Sequence, residues 1–473
     1  MKNAYYFLRI SCLALGSTLA LSATAQTLDP SFQQPRIMGT GSSGPVAGEV
    51  HAIVRQPDGK YVIGGSFSSI NGVRVRNLAR LHADGTLDVA FTASSGANRP
   101  VYALALQPDG RIVAGGQFDS LAGSVRRSVG RLQATGTLDA AFDANLTNVN
   151  NVRQVALLPG GDILALQPTS PSNYSAPSGL FRLRSLTGQV DPSFQQTVAA
   201  TRFAVQPDGR IITGGSAASS YVQIHLLARL LPSGALDNSF SPWITHYSST
   251  TIQVKVGPNG GIYRLGYGHA YSGLSGPGIF RGEWRNQVVT DFEVQPNGRL
   301  LGMGYIYGLG SAGANLPITS RLLADGSLDA GYVATNGPLT DALGAGSVNT
   351  VLVQPDGALL MGGSFTRVGT TPVHGLVRML DANVLNVKTQ LAENATTVSP
   401  VPAHGTLNVT VEPSACPRRV ELLDALGRAV LTQAVATGRP ALTLDVAALA
   451  AGSYVLRVSY EQAAPVVRRV VLE

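Results

Sequence analysis

Cysteine is nearly missing from this chain: of 473 residues, only Cys12 and Cys416 carry a thiol. Cys12 falls within an N-terminal leader, so the mature chain keeps one thiol and forms no intrachain disulfide. Packing alone has to hold the fold. Charge is scarce as well, at 13% of residues. The formal net charge is +7, two units of which leave with Lys2 and Arg9, and no basic run remains. Such a surface is merely solvated and excludes a nucleic-acid footprint. The only extended apolar run, Ile10 to Leu21, is too short to span a bilayer once the leader is cut. No long amphipathic helical period occurs. The seven histidines, at 51, 82, 225, 246, 269, 374 and 404, have no metal-ligand spacing. No acidic calcium loop and no His-Glu-x-x-His occurs either. We therefore expect no metal, no cofactor and no named catalytic residue. Residues distant in the sequence can still assemble into a site.

What the chain does have begins with that leader. Lys2 and Arg9 form a basic start, the apolar run follows, and Ala23-Thr24-Ala25 supplies small residues at a cleavage point. This is the pattern of a secretory signal peptide covering residues 1–25, cut between Ala25 and Gln26. Beyond it, 54 glycines and 27 prolines indicate a turn-rich, all-β chain.

The segment Gln56-Pro57-Asp58-Gly59, followed by Tyr61-Val62-Ile63-Gly64-Gly65, organises most of the sequence. Its turn recurs from Gln107, Leu158, Gln206, Gly257, Gln295 and Gln354, at spacings of 51, 51, 48, 51, 38 and 59 residues. That is the period of a four-stranded propeller blade. Proline presets φ, aspartate bonds its own backbone and glycine accepts positive φ, so two strands meet there as a hairpin. The Gly-Gly pairs at 64–65, 115–116, 214–215 and 362–363 read as close-packing sites, since no helix follows them to cradle a phosphate.

Each repeat carries two further pieces. The first is a strand with one arginine: Arg80, Arg131, Arg182, Arg229, Arg281, Arg321 and Arg378. The second is a Leu-Asp turn with an aromatic anchor, as in Leu87-Asp88 with Phe91, and the anchor is expected to fill the gap between blades. Arg80 and Asp88 stand eight residues apart, as do Arg131 and Asp139, Arg229 and Asp237, and Arg321 and Asp329. A hairpin would join each as a partly buried ion pair. The alternative is seven guanidinium groups around a central channel, binding an anion. The fifth repeat lacks this anchor, with Trp284 as a stand-in, and the seventh stops at Leu380-Asp381 without it, while Leu28-Asp29 and Phe32 stand orphaned ahead of the first hairpin. We expect that segment to complete the last blade and remove its open edge. Tyr263, Tyr267, His269, Tyr271, Tyr305 and Tyr307 follow second strands among glycines. They form a candidate face for sugar or peptide recognition, or else pack between blades.

The Gly-Gly-Ser-Phe stretch, Asn77-Leu78-Ala79-Arg80-Leu81, Asp84-Gly85, Leu87-Asp88 and Phe91 together resemble the delta-60 repeat of bacterial secreted proteins. The resemblance is strongest in the first two repeats and the last. It is degraded in the third, fifth and sixth, where Pro-Gly-Gly or Pro-Asn-Gly replaces the turn. It implies a β-propeller, seven-bladed by the count of turns, over residues 27–383, and implies no catalytic residues.

A polar stretch, 384–399, reads as a linker. Strand-like runs then recur from Thr406 to Leu472, enough for a small Ig-like β-sandwich over 400–473. Gly427-Arg428, Gly452 with Tyr454, and Arg468-Arg469 in order resemble a type IX secretion C-terminal sorting domain. That resemblance implies export by the type IX machinery, to the outer-membrane surface or the medium, with attachment to surface lipopolysaccharide or release. The expectation is a secreted or cell-surface β-propeller binding or adhesion module with an unknown carbohydrate or protein ligand. The alternative is a propeller-fold hydrolase or lyase acting on extracellular polysaccharide.

Overall fold

Each repeat starts from a turn that three residues dictate. Gly59 lies at φ +87°, its N–H donates to the Gln56 carbonyl at 3.0 Å, and the Asp58 carboxylate accepts from the Lys60 N–H at 3.1 Å. The alternating apolar residues on either side then pair as Glu49–Arg55 with Tyr61–Ser66, and Leu78–Leu81 adds a third strand. The structure, a computed structural model, describes residues 27–41, 44–146, 149–168, 179–196, 198, 200–215, 227–240, 251–257, 260–266, 288–295, 299–306, 316–322, 339–340, 346–354, 356–380, 395–413, 417–424, 428–436, 440–460 and 466–473. Among these, seven successive sheets are built on the seven turns.

A fourth regular strand is expected in each repeat, but the first four repeats keep only a single bridge. Leu81 pairs with Leu87, Leu132 with Leu138, Leu183 with Val190 and Leu230 with Leu236. The chain leaves the ladder there because the next aspartate turns inward: Asp88 accepts from the Phe91 N–H at 3.3 Å and caps a short helix, Val89–Ser94.

The first strands set the plan of the molecule. Glu49–Arg55, Val101–Leu106, Gln154–Leu157, Arg202–Val205, Thr251–Val256, Val288–Val294 and Val348–Val353 each pack against the next, and the last packs against the first. The Gly-Gly pairs make this approach possible. A Cβ added at Gly64 would lie 2.7 Å from Val101, at Gly115 2.8 Å from Val152, and at Gly362 2.6 Å from Val50. Each first glycine thus admits a valine of the following repeat, and Gly362 of the seventh repeat admits one of the first.

The aromatic anchors fill the same seams further out. Phe91 and Phe142 are fully buried, against Gly136 and Gly188 of the following repeat, where an added Cβ would lie 2.7 and 2.9 Å from their rings. Each such ring contributes on the order of 2–3 kcal/mol by leaving water. The N-terminal segment does this for the last seam. Thr27–Leu28 pairs antiparallel with Leu376–Leu380, and the Asp29 N–H donates to the Arg378 carbonyl at 2.9 Å. Phe32 then packs edge-on against Tyr61 of the first repeat, with ring centroids 6.3 Å apart.

The C-terminal region has two sheets. Thr397–Ser399, Thr406–Thr410 and Ala441–Asp445 form one, while Ala429–Ala434, Pro417–Leu423, Gly452–Tyr460 and Val466–Leu472 form the other. Alternating residues of both, including Leu407, Val409, Val420, Leu422, Leu444, Leu456 and Val470, make one buried core. The linker expected to reach residue 399 ends earlier. Thr397–Ser399 is an edge strand whose Val398 packs on this core, and the Thr396 hydroxyl meets the Tyr460 hydroxyl at 2.6 Å. With one inward apolar residue among polar neighbours, that strand is hard to tell from a linker.

Candidate functional site

The repeated arginines come first, because the sequence offers them both as structure and as a ligand ring. In the first repeat, Arg80 Nε donates to Asp88 at 2.9 Å, and its NH1 reaches both Gln56 Oε1 at 3.1 Å and the Ala134 carbonyl of the next repeat at 2.7 Å. The guanidinium lies over the Phe91 ring at 4.3 Å. Arg131 repeats the arrangement with Asp139 at 2.8 Å, Gln107 at 3.2 Å, the Ser185 and Leu186 carbonyls, and Phe142 at 4.4 Å. Arg229 pairs with Asp237 at 2.8 Å. Arg378 pairs with Asp29 across the closure. Arg321 is 1% exposed, and its expected partner Asp329 lies outside the described residues.

Arg182 also belongs to this belt, paired with Asp191 nine residues away rather than eight, since its turn is one residue longer. The Ser193 N–H, then the Ser193 hydroxyl and Arg182, outweigh burial and bring the Asp191 carboxyl down to about 2. These arginines stand on third strands, outside the second strands, so they do not surround the channel. Among the described residues the anion-binding ring is therefore corrected to a belt of ion pairs, in which Arg80, Arg131 and Arg182 also reach carbonyls of the following repeat and Arg378 reaches Asp29.

The cavity lies within the first strands. All seven contribute to its wall, and it encloses about 690 Å³. Its mouth is built by irregularities in the ladders. The register shifts between Val50 and Ala52, opposite Gly115/Gly116 and between Val348 and Thr350, which leaves His51, Tyr102 and Asn349 out of the pairing. Arg153 stands one residue ahead of its own ladder. A bulge re-aims a side chain, and these four residues all line the cavity.

One side of the mouth is aromatic and cationic. The Arg153 guanidinium lies 3.8 Å over the Tyr102 ring, and the His51 ring centroid is 5.1 Å from that of Tyr102. Burial first, and Arg153 in addition, keep the His51 pKa below its ordinary value against the pull of Glu49. Beside Arg153 stands Arg202, whose NH1 donates to the Thr201 carbonyl at 2.8 Å. Burial lowers the Arg202 pKa, Asp291 opposes this and Arg153 adds to it. The Gln154 amide fixes these two strands together, donating to the Phe203 carbonyl at 2.6 Å and accepting from the Phe203 N–H at 3.1 Å.

On the opposite side one cation stands between two carboxylates. Lys255 Nζ lies 2.6 Å from Glu293 and 3.7 Å from Asp291, and the Gln253 amide donates to Asp291 at 3.1 Å. Burial works against the charge on Lys255, but Asp291 and then Glu293 outweigh it and raise its pKa.

Of the candidate tyrosine face, one side chain falls among the described residues. Tyr263 is 6% exposed and packs with Leu265, Phe292, Leu300 and Leu322, so it belongs to the core. It falls on the inward side of its strand, which a run of tyrosines among glycines conceals. Tyr305 lies in the strand Leu300–Ile306, opposite Val288 and Pro317. Tyr267, His269, Tyr271 and Tyr307 lie outside the described residues, as do Ala25, Gln26 and Gly427. In the C-terminal region, Arg428 pairs with Asp424 at 2.7 Å, the Tyr454 hydroxyl donates to the Ala450 carbonyl at 2.7 Å, and Arg469 reaches Ser453 at 3.3 Å. Arg468 donates to the Thr396 carbonyl at 3.0 Å, and Gly452 at φ +156° opens its strand.

The fold and its tail define a class: a secreted or cell-surface protein of β-propeller repeats followed by a secretion-system sorting domain. The family described as a domain of unknown function (DUF5122) beta-propeller matches residues 56–91, 107–142, 206–240 and 295–332. The secretion system C-terminal sorting domain matches residues 397–473. Each repeat match runs from the turn residue to the aromatic anchor. The sixth repeat is therefore matched despite its altered turn, while the seventh, whose anchor is Phe32 at the other end of the chain, is not among the matched segments. No curated protein matches the chain.

Among solved structures, the chain is similar to the extracellular domain of a one-component system from B. thetaiotaomicron, with 11% identity and a TM-score of 0.44 over 94% of this chain and 58% of that one. It is also similar to a quinoprotein alcohol dehydrogenase-like protein from Bacteroides thetaiotaomicron, with 13% identity and a TM-score of 0.35 over 61% and 66%. A third is a protein of unknown function from Dyadobacter fermentans, with 11% identity and a TM-score of 0.34 over 74% and 99%. The chain thus spans little more than half the length of the first of these.

Proposed function

We propose that this chain is an exported binding module, a seven-bladed propeller that presents its central cavity to an extracellular ligand. The observation that carries this reading is the cavity itself, walled by the first strands of all seven repeats and furnished at its mouth by side chains that differ from repeat to repeat. A frame that repeats and a centre that does not is the arrangement expected of a scaffold with one site. Residues 1–25 act as the signal peptide for the inner membrane. The C-terminal domain then engages the type IX machinery for passage across the outer membrane. Removal of that domain accompanies attachment to surface lipopolysaccharide or release.

Intact mass of the native protein from outer-membrane, surface and medium fractions tests the export half. The expected species lacks residues 1–25 and the segment from about residue 397 onward. A full-length mature species held in the periplasm would remove it. A carbohydrate array tests the other half: binding without turnover supports a module, whereas product release would make the protein an enzyme.

A further inference from the structure

We infer that the cavity takes a ligand bearing an oxyanion, namely an acidic sugar whose carboxylate, sulfate or phosphate is held between Arg153 and Arg202. This inference rests on the binding-module reading and specifies its ligand.

The charge count of the cavity wall is the first ground. The wall holds three cations, Arg153, Arg202 and Lys255, against one carboxylate, Asp291. Lys255 is paired with Glu293 at 2.6 Å and, at 3.7 Å, with Asp291. With Glu293 counted, three cations face two carboxylates, and the remaining positive charge falls on the two guanidinium groups of neighbouring strands, where Asp291 favours and Arg153 disfavours the charge on Arg202.

The second ground is the contrast with the belt. Arg80 and Arg131 spend their donors on a carboxylate, a glutamine and carbonyls of the next repeat. Arg202 donates to one carbonyl, and Arg153 is held by the Tyr102 face rather than by a carboxylate. A guanidinium presents five donors in a fork that matches an oxyanion with two oxygens. Stacked on a ring, that fork keeps its orientation while its N–H edge stays free for a ligand.

The carrier follows from the uncharged part of the wall. Ala52, Ala103, Ala156 and Ala204 of the first four strands are small and leave room for a pyranose ring, whose C–H face suits the neighbouring Ile53, Leu104, Val155 and Val205. A volume of about 690 Å³ is within the range of small-molecule sites.

Isothermal titration calorimetry on the full-length mature protein tests this. The probes are galacturonate and digalacturonate, glucose 6-sulfate and glucose 6-phosphate, with glucose and maltose as neutral controls. At least one acidic probe should bind and the neutral ones should not. Binding should weaken as salt rises from about 50 to about 500 mM. Arg153→Gln and Arg202→Gln should each lower affinity about tenfold or more. Arg210→Gln, on an exposed arginine paired with Asp208, should leave affinity unchanged. Melting curves establish that each variant is folded. Which acidic probe binds identifies the source of the oxyanion.

Equal binding of neutral sugars, or unchanged affinity in both folded cavity variants, would overturn the inference. So would a wild-type protein that binds polysaccharide on the array but no acidic probe, and in that case the module reading survives. A wild-type protein that binds nothing on the array and no acidic probe removes both.

Discussion

The belt and the cavity use the same residue for opposite ends. On third strands, Arg80, Arg131, Arg182, Arg229 and Arg378 meet an aspartate within bonding distance, and several reach carbonyls of the following repeat. On and beside the first strands, Arg202 and Arg153 face a cavity whose wall has one carboxylate, Asp291, which stands 3.7 Å from Lys255. A buried guanidinium is costly unless its charge and donors are matched. Matching it inside the chain makes a structural tie, and leaving it to be matched from outside makes a site. Position within the blade, rather than residue type, decides which.

That contrast can be broken most severely at the closure. Deleting residues 27–32 removes the edge strand, the Asp29 partner of Arg378 and the Phe32 plug together. The expected loss is on the order of 5 kcal/mol or more. It should appear as a collapsed melting transition and aggregation through the bared edge. An unchanged melting curve would contradict the closure. Next in size is Phe91→Ala, which empties a fully buried seam and should cost about 3–5 kcal/mol by chemical denaturation. Arg131→Met should cost about 3 kcal/mol, since it leaves the buried Asp139 with the more distant Arg111, at 3.7 Å, as its cation.

A smaller effect sharpens the comparison through pH. The Asp191 carboxyl is held at about 2, below the usual value of about 3.9. A depressed folded-state value means that the tie contributes fully above about pH 4 and is lost as pH falls from there toward 2. Acid titration of stability should therefore show a slope in that window that Asp191→Asn reduces. The cavity arginines, charged throughout, should leave that slope untouched.

Much of this architecture is legible in the sequence because the repeat restates it. The turn of Gln56 to Gly59, the Gly-Gly seam, the Arg80–Asp88 pair and the orphaned Leu28-Asp29 with Phe32 each carry a local chemical reason for their place. The site is far less legible. His51, Tyr102, Arg153 and Asn349 share one position, five residues before the turn, and Arg202 and Asp291 share the next. A search for repetition averages such positions away, precisely because they differ from copy to copy. Their aim into the cavity depends on bulges that no single strand reveals. Tyr263 shows the converse, an aromatic that looks like a ligand platform in the sequence and is core in the fold. The edge strand at Thr397–Ser399 was hidden because only Val398 of its residues packs inward.

The most direct test of the account sets the two sets of arginines against each other in one protein. Melting temperature and acidic-sugar affinity would be measured in parallel for Arg131→Met and Arg202→Gln. Arg131→Met should lower the melting temperature, with affinity retained in the fraction that stays folded. Arg202→Gln should leave the melting temperature unchanged or raised and make affinity about tenfold weaker. A large loss of stability in Arg202→Gln with affinity intact would contradict this, because the cavity arginine would then be one more structural tie.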